Sequence, residues 1–289
     1  MPLNIASLGN RAVIALTGEE TLPFLQDLLT CDVETLHPGE AAHGGLLTPQ
    51  GKILFDFFIL ATADGALLDC DASQRDGLMQ RLTMYKLRRA IEIKPAETLG
   101  VGVAWGDGPM PQIETAMVFA DPRLAELGQR IIAPASALDG ITNASAEDYA
   151  SMRMALGVAD SAETGSGELF PHEANYDQFG SVNFKKGCYV GQEVVSRMQH
   201  RGTARSRIVP VAAVSALPAI GAPVLAGERQ SGNLIAASGS RGLALIRLDR
   251  AAAAIAGGSG LSVDGIALTM HKPSWARWAD PAGAPEGED

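Results

Sequence analysis

The feature that most constrains the fold is a change in sequence texture at Arg205. Beyond it, short runs of Val, Ile and Leu recur about every eight to twelve residues between Gly and Pro turns, for example RIVPVAAV, NLIAASG and GLALIRL. This pattern is typical of a small all-β barrel or sandwich. We therefore predict a domain boundary near Gly202, with two interleaved subdomains at 1–202 and a β-barrel at 203–278. The small, acidic, proline-rich tail at 279–289 is predicted to be disordered.

The first region mixes strands and helices. Residues 48–51 (TPQG) are a turn signal between two apolar runs, so residues 44–60 predict a β-hairpin. Ser145 with Asp148 resembles a helix cap and predicts a helix over 145–156. The other elements predicted here are a strand over 11–16, a helix capped by Thr21, a helix over 73–89 capped by Ser73 with Asp76, and a strand pair over 91–105.

Charge and cysteine use narrow the classes of function. The 33 acidic and 23 basic residues give a net charge of −10 with histidine neutral. Because nucleic acids and anionic membranes select basic surfaces, we expect neither as a partner. Cys31, Cys70 and Cys188 form no CxxC pair and the N-terminus resembles no signal peptide, which predicts a cytoplasmic protein. The scattered histidines suggest no zinc or iron–sulfur ligand set, so no metal site is predicted.

The densest group of reactive and polar side chains lies at residues 185–193, KKGCYVGQE. Two lysines beside Cys188 favour the thiolate, since a nearby cation lowers the pKa of a thiol. Gly187 allows the backbone to approach a ligand closely, and the Gln-Glu pair at 192–193 offers an amide and a carboxylate to a polar heterocycle. The alternative is that Cys188 is simply a small buried hydrophobic residue.

Asp56 is the second candidate, because it interrupts an otherwise apolar strand, KILFDFFIL. A carboxylate among Ile, Leu and Phe is costly unless it has a partner or opens into a pocket. Strand alternation puts Asp56, Phe58 and Leu60 on one face, which predicts an aromatic-walled site for a planar ring with N–H donors. An edge strand with Asp56 in solvent is the alternative reading.

Two basic features are open to more than one interpretation. Arg153 lies among apolar residues of the predicted helix at 145–156, where it could reach a carboxylate of a ligand or of the protein, or extend along the surface. Residues 81–89 carry a basic cluster that reads either as a solvated helix face or as an edge that binds a polyglutamate tail or a phosphate. The cluster consists of Arg81, Lys86, Arg88 and Arg89.

The string KKGCYVGQE resembles the signature of the YgfZ-type folate-binding proteins, which are relatives of the aminomethyltransferase (T-protein) of glycine cleavage. The similarity extends over nearly the whole chain. FLQDLLTCDV and GLLTPQGKILFDFFIL resemble the N-terminal block, and MRMALGVADS with ELFPHEANYDQFGSVNFKKGCYVGQEVVSR resembles the central block. The fold that this implies is α+β, a T-protein-like folate-binding fold with a ferredoxin-like piece and a C-terminal β-barrel around a central cavity.

The resemblance also implies a site and a role. Tetrahydrofolate would lie in the cavity, and the role would be folate-dependent assembly or repair of iron–sulfur clusters, affecting enzymes such as tRNA methylthiotransferases. Partners would be iron–sulfur assembly proteins or client enzymes. The residues carried over are Lys186, Gly187, Cys188, Tyr189, Gly191, Gln192 and Glu193, with Asp56 at the place of the T-protein aspartate beside the reactive folate nitrogen. With Phe58 and Arg153 they form the predicted cofactor site, in which Cys188 and Asp56 are the predicted catalytic residues.

Departures from the T-protein pattern keep the reaction class open. Phe55 precedes Asp56 where T-proteins have a second acid, and Tyr149 replaces one of two arginines. The favoured hypothesis is a tetrahydrofolate-binding accessory factor for iron–sulfur proteins. The alternatives are a folate-dependent one-carbon transferase that uses Asp56, and a folate-independent scaffold that docks a partner.

Overall fold

The structure, a computed structural model, describes residues 2–202 and 204–278. The predicted tail at 279–289 and the boundary residue Thr203 lie outside the described residues. Within the described ranges, no helix is both long enough and apolar enough to cross a membrane. The strands form two sheets and one closed barrel.

A five-stranded antiparallel sheet, in the order β3-β4-β5-β2-β6, carries Asp56 and Phe58 of the predicted site. Its strands are β2 (Arg11–Thr17), β3 (Ala41–Leu47), β4 (Ile53–Thr62), β5 (Gly65–Asp71) and β6 (Glu92–Pro95). The alternation of β4 sends Phe57 and Ile59 to one face, where α1 (Thr21–Gln26) and α2 (Arg75–Lys86) cover them. Phe58 and Leu60 point to the opposite face.

A four-stranded sheet packs on that opposite face, so a second apolar core lies between the sheets. Its order is β1-β7-β9-β8, with β1 (Asn4–Ser7), β7 (Leu99–Trp105), β8 (Met117–Ala120) and β9 (Gln129–Pro134). A short 3-10 helix (Ala125–Leu127) lies between β8 and β9 in the chain. Three helices follow β9: α3 (Ala135–Asp139), α4 (Ala146–Ala155) and α5 (Ser161–Thr164). A largely irregular segment then leads to α6 (Gln192–Arg201).

The chain ends in a closed six-stranded barrel in the order β10-β13-β12-β11-β14-β15. Its strands are β10 (Ser206–Ala212), β11 (Pro223–Ala226), β12 (Arg229–Ser238), β13 (Arg241–Arg247), β14 (Leu261–Val263) and β15 (Ile266–Met270), with α7 (Leu248–Ala256) between β13 and β14. Val, Leu and Ile from alternate positions fill the interior. Closure pairs the edge strands, which explains why runs this short can be stable.

Two predictions that rest on local signals are confirmed. The hairpin at 44–60 is β3 and β4, and Ser145 accepts a hydrogen bond from the Asp148 backbone while Asp148 accepts one from Ser145. The predicted strand pair at 91–105 is wrong, because β6 pairs with β2 and β7 pairs with β1 and β9. The predicted caps at Thr21 and Ser73 are also wrong. Thr21 lies inside α1, which has no side-chain cap bond, and the Ser73 hydroxyl bonds to Asp71 at 2.5 Å while α2 begins at Arg75.

Candidate functional site

Asp56 lies on the inner face of β4, opposite Gly45 of β3, and is only 3% exposed. The Nε2 atom of His43 lies 3.7 Å from its Oδ2 atom. The Nδ1 atom of the same ring lies 2.8 Å from the hydroxyl of Ser181. His43 therefore links the carboxylate in the sheet to the irregular segment that carries the KKGCYVGQE string. The reading of Asp56 as a solvent-facing residue on an edge strand does not hold.

Tyr176 packs against His43 and lies near Asp56. Its ring centroid lies 5.2 Å from that of His43, edge to face. Burial, and then the neighbouring Asp56 carboxylate, raise the pKa of the Tyr176 phenol well above its ordinary value. The hydroxyls of Tyr176, Tyr149 and Tyr189 are buried and have no hydrogen-bond partner among the described residues. Buried hydroxyls are usually paired, so three unpaired ones require an explanation.

Phe58 presents its ring to guanidinium groups. The Arg130 Cζ atom lies 3.9 Å from the ring centroid and the Arg123 Cζ atom 4.7 Å from it. A cation at this distance over an aromatic face is attracted by the ring quadrupole. At least part of the aromatic wall predicted for a planar ligand is therefore covered by the protein itself.

These arginines belong to a buried ion cluster between the two sheets. Asp69 of β5 accepts hydrogen bonds from Arg11 at 2.7 Å and from Arg130 at 2.8 Å. The other members are Asp121 and Arg123, which form an ion pair at 2.8 Å, and Asp160, which lies 3.0 Å from Arg11. Burial opposes ionisation of Asp160, but attraction by Arg11 and the other arginines holds the pKa of its carboxyl far below its ordinary value.

Arg153 is buried and bonded within the protein. Its guanidinium donates to Glu163 at 2.7 and 3.0 Å and to the Val158 carbonyl at 2.6 Å. Of the three interpretations of this arginine, the structure therefore selects a carboxylate of the protein. A cleft of about 400 Å³ that Tyr149 and Asp160 also line reaches the edge of this ion pair.

Residues 185–191 of the KKGCYVGQE string form the second half of an irregular loop, residues 181–191, which we name the motif loop, and residues 192–193 begin α6. Lys186 turns inward, and its Nζ atom donates to the carbonyls of Leu29 and Cys31 at 2.8 and 2.6 Å. Burial lowers the pKa of this amine. Tyr189 is buried in an apolar core with Ile53 and other residues. These two side chains therefore anchor the loop to the sheet.

Gly191 fixes the end of the motif loop against the β3–β4 turn. It has a φ of +81° and lies immediately before α6. A Cβ atom there would lie 2.6 Å from the Thr48 carbonyl oxygen and 3.0 Å from the Gly51 Cα atom. Only glycine allows this approach, so the predicted turn and the predicted motif touch through two glycines.

Between these anchors the motif loop exposes its reactive side chains. Cys188 is exposed, as are Lys185 and Gly187, and the nearby Glu193 pairs with Arg197 at the surface of α6. Gln192 donates to the Gly187 carbonyl at 3.4 Å, a long contact. The reading of Cys188 as a buried hydrophobic residue does not hold. The structure places Asp56 in the interior and Cys188 at the surface.

Thiol reactivity should separate Cys188 from the other two cysteines. Cys31 and Cys70 are buried, and burial raises the pKa of each to about 12, so their thiolates are scarce at neutral pH. We expect one fast-reacting thiol per native chain with an aromatic disulfide reagent, and three after unfolding in denaturant. The Cys188→Ser variant should lose the fast phase. Two fast thiols, or none, would be inconsistent with this arrangement.

The pH dependence of stability should report on His43. Burial lowers its pKa below the ordinary value of 6.5, so below pH 6.5 the unfolded chain binds a proton that the folded chain resists. The free energy of unfolding should therefore fall as the pH drops from 6.5, with a slope of up to about 1.4 kcal/mol per pH unit from this group. His43→Asn should flatten the slope measured by urea unfolding, whereas a change at the exposed His200 should not. An unchanged slope in His43→Asn would contradict a neutral buried ring.

Sequence reasoning missed most of the buried ion cluster. One local signal was available, because Asp69 interrupts an apolar strand (GALLDCD) as Asp56 does and lies opposite Phe58 in the sheet. Arg11, Arg123 and Arg130 carry no such signal. Their partners are brought together only by the packing of the two sheets.

Comparison with known proteins bears on both halves of the chain. Residues 205–278 match the family described as the CAF17 C-terminal beta-barrel domain. The crystal structure of aminomethyltransferase T of the glycine cleavage system from Bartonella henselae superposes with a TM-score of 0.73 over 95% of this chain and 86% of that one. Their sequences are 15% identical, so this similarity shows the fold alone. The predicted α+β, T-protein-like fold with a C-terminal barrel is thereby confirmed.

Sequence relatives decide the family. The mitochondrial iron–sulfur cluster assembly factor IBA57 of Mus musculus is 31% identical over 277 residues, which cover 83% of this chain and 76% of that protein. The chain belongs to the IBA57 family. The human IBA57 protein is 29% identical with the same coverage, and a Mycosarcoma maydis homologue is 33% identical over 72% of this chain and 56% of its own length.

The same relatives correct one prediction. A cytoplasmic location was expected, but the mouse, human and fungal IBA57 proteins are all named as mitochondrial, which contradicts it. The expectation rested largely on sparse, unpaired cysteines. These indicate a reducing compartment and do not distinguish one such compartment from another.

Proposed function

We propose that this chain is an accessory factor in the assembly or repair of iron–sulfur proteins, and that the thiol of Cys188 is the functional group that this role requires. The observation that carries the proposal is the exposed thiol of Cys188 on a loop that is anchored at both ends. Lys186 holds one side to the Leu29 and Cys31 carbonyls, and Gly191 holds the other to the β3–β4 turn. The IBA57 relatives, named as iron–sulfur cluster assembly factors, support the same role.

The distribution of cysteines supports a transient rather than a resident role for this thiol. An iron–sulfur cluster is usually held by about four ligands. Cys31 and Cys70 are buried in the apolar core, so neither is available beside Cys188. The remaining ligands would come from an iron–sulfur assembly protein, a client enzyme or a second copy of this chain. We also propose that the chain is related to the YgfZ-type folate-binding proteins.

The experiment that tests this function is complementation. Cells that lack the protein would be supplied with the wild-type chain or with Cys188→Ser, and the activity of a cluster-requiring enzyme would be measured. We expect the variant to accumulate normally and to leave that activity at the level of the empty vector. Full restoration by Cys188→Ser would remove Cys188 from the proposal.

A reduced folate is the second part of the proposal, on a smaller set of contacts than the sequence predicts. The buried, unpaired hydroxyl of Tyr176 and the neighbouring Asp56 carboxylate fit a polar ring that both donates and accepts hydrogen bonds. Phe58, with guanidinium groups near its ring, and Arg153, bonded to Glu163, do not fit this use. When bound, a reduced folate would supply one-carbon chemistry. What the chain itself supplies is an acceptor at Asp56 and the phenol of Tyr176 near it.

Calorimetric titration with tetrahydrofolate under anaerobic conditions tests this part. The wild-type chain should bind saturably, and Tyr176→Phe, which removes one unpaired hydroxyl, should weaken binding about tenfold. Asp56→Asn should weaken binding further. Phe58→Leu serves as the control that leaves the proposed contacts in place. If Tyr176→Phe only raises stability and leaves the titration unchanged, the hydroxyl is not a folate contact, and a flat wild-type titration removes the folate altogether.

A further inference from the structure

The last turns of α2 and the two residues that follow the helix expose two large apolar side chains beside two arginines. Met84 is 62% exposed and Leu87 is 83% exposed. Arg81 and Arg88 flank them, and neither forms an ion pair or a hydrogen bond with the part of the chain that the structure describes. We name Arg81, Met84, Leu87 and Arg88 the α2 patch.

The other cations of this basic stretch are occupied within the protein. Arg89 pairs with Asp27 at 2.7 Å and lies over the Phe24 ring. Lys86 donates to the Ile91 carbonyl at 2.7 Å. The basic cluster is therefore neither a uniform solvated face nor a row of free cations. Its free charge is limited to the two arginines of the α2 patch.

Leu87 is unfavourable in the isolated chain for two reasons. Its φ is +50° with a ψ of −111°, a backbone conformation that residues with a side chain rarely adopt. Its side chain projects into solvent and gains nothing from burial in return. Strained backbone occurs preferentially at functional sites. Neighbouring exposed apolar side chains mark sites of interaction.

We propose that the α2 patch docks an acidic amphipathic helix of a partner protein. Met84, on the last turn of α2, and Leu87, directly after the helix, are the apolar side chains that would pack against the apolar face of such a helix. Arg81 and Arg88 can each pair with a carboxylate on either side of the apolar anchors. The chain as a whole carries a charge of −10, so this local positive field would select where an acidic partner lands.

The α2 patch lies on the same face of the five-stranded sheet as part of the motif loop. Met79 and Tyr85 of α2 pack against the same apolar core as Val190 of the motif loop. The two features therefore belong to the same face of the five-stranded sheet. The proposal goes beyond the role of Cys188 and does not depend on it, because docking here requires no thiol.

A synthetic helical peptide with one leucine stripe and glutamates elsewhere is the probe. Its binding to the full chain would be followed by fluorescence anisotropy in low salt. We expect saturable binding that weakens at least tenfold in Arg81→Gln/Arg88→Gln and in Met84→Ser/Leu87→Ser. The controls in the barrel region are Arg229→Gln/Arg241→Gln, which removes the same charge, and Val214→Ser, which removes an apolar side chain that is 98% exposed. Both should bind as the wild type does.

Leu87→Asn separates docking from a merely structural role. Asparagine tolerates positive φ, so the variant should melt a few degrees higher while binding the peptide more weakly. Four results would overturn the proposal: no binding, binding unchanged in the patch variants, equal binding of a peptide with serine for leucine, or equal binding of a single-stranded oligonucleotide. Self-association of the chain that is lost in Met84→Ser/Leu87→Ser would assign the patch to a second copy instead.

Discussion

Replacing Asp69 by asparagine should lower the free energy of unfolding by about 3–5 kcal/mol, a large part of the stability of a typical domain. The Asp69 carboxylate is fully buried and receives Arg11 on one oxygen and Arg130 on the other. Asparagine keeps the shape but removes the charge, which leaves two guanidinium groups between the sheets with too little compensation. The loss would be measured by urea unfolding at neutral pH.

Asp249→Asn is the matched control for Asp69→Asn. Asp249 also pairs with an arginine, Arg247, at 2.5 Å, but the carboxylate is half exposed. Exposed pairs of this kind contribute about 0–1 kcal/mol. The same chemical change should therefore cost several times less at the barrel surface. Equal losses at the two sites would mean that the buried ion cluster does not hold the two sheets together.

Gly191→Ala should release the motif loop from the β3–β4 turn. The added Cβ atom would lie 2.6 Å from the Thr48 carbonyl, and alanine disfavours the φ of +81° at this position. Because backbone must move on both sides, we expect a loss on the order of 3 kcal/mol. Loss of the anchor should also change the reaction rate of the Cys188 thiol, which gives a second readout.

Gly202→Ala separates conformational cost from steric cost. Gly202 ends the same helix with a φ of +57°, but a Cβ atom there would meet nothing within 4 Å. This variant should lose only about 1–2 kcal/mol and keep the wild-type rate at Cys188. If Gly191→Ala and Gly202→Ala behave alike, close approach to the turn is not what Gly191 provides.

What could be predicted from the sequence was set by local signals. The hairpin followed from TPQG between apolar runs, and the cap of α4 from Ser145 and Asp148, because each involves residues within a few positions of one another. The pairing of β6 with β2 and of β7 with β9 joins distant segments, and alternation within 91–105 could not reveal it.

The candidate site divides in the same way. The KKGCYVGQE string identified the motif loop, and strand alternation placed Asp56 and Phe58 on one face. The direction of each side chain did not follow from the string. Lys186 turns inward because the Leu29 and Cys31 carbonyls lie beneath it, and those carbonyls are about 155 residues away in the chain.

The most direct test of the account is reactivation of a purified cluster-requiring enzyme by the purified chain, under anaerobic conditions with iron, sulfide and reductant. Cys70→Ala is the matched control, because it removes a buried cysteine. The account predicts that the wild-type chain and Cys70→Ala restore the enzyme, while Cys188→Ser melts as the wild type does and gives only the rate without added protein. Reactivation by Cys188→Ser at the wild-type rate would contradict the central claim that the exposed thiol carries the function.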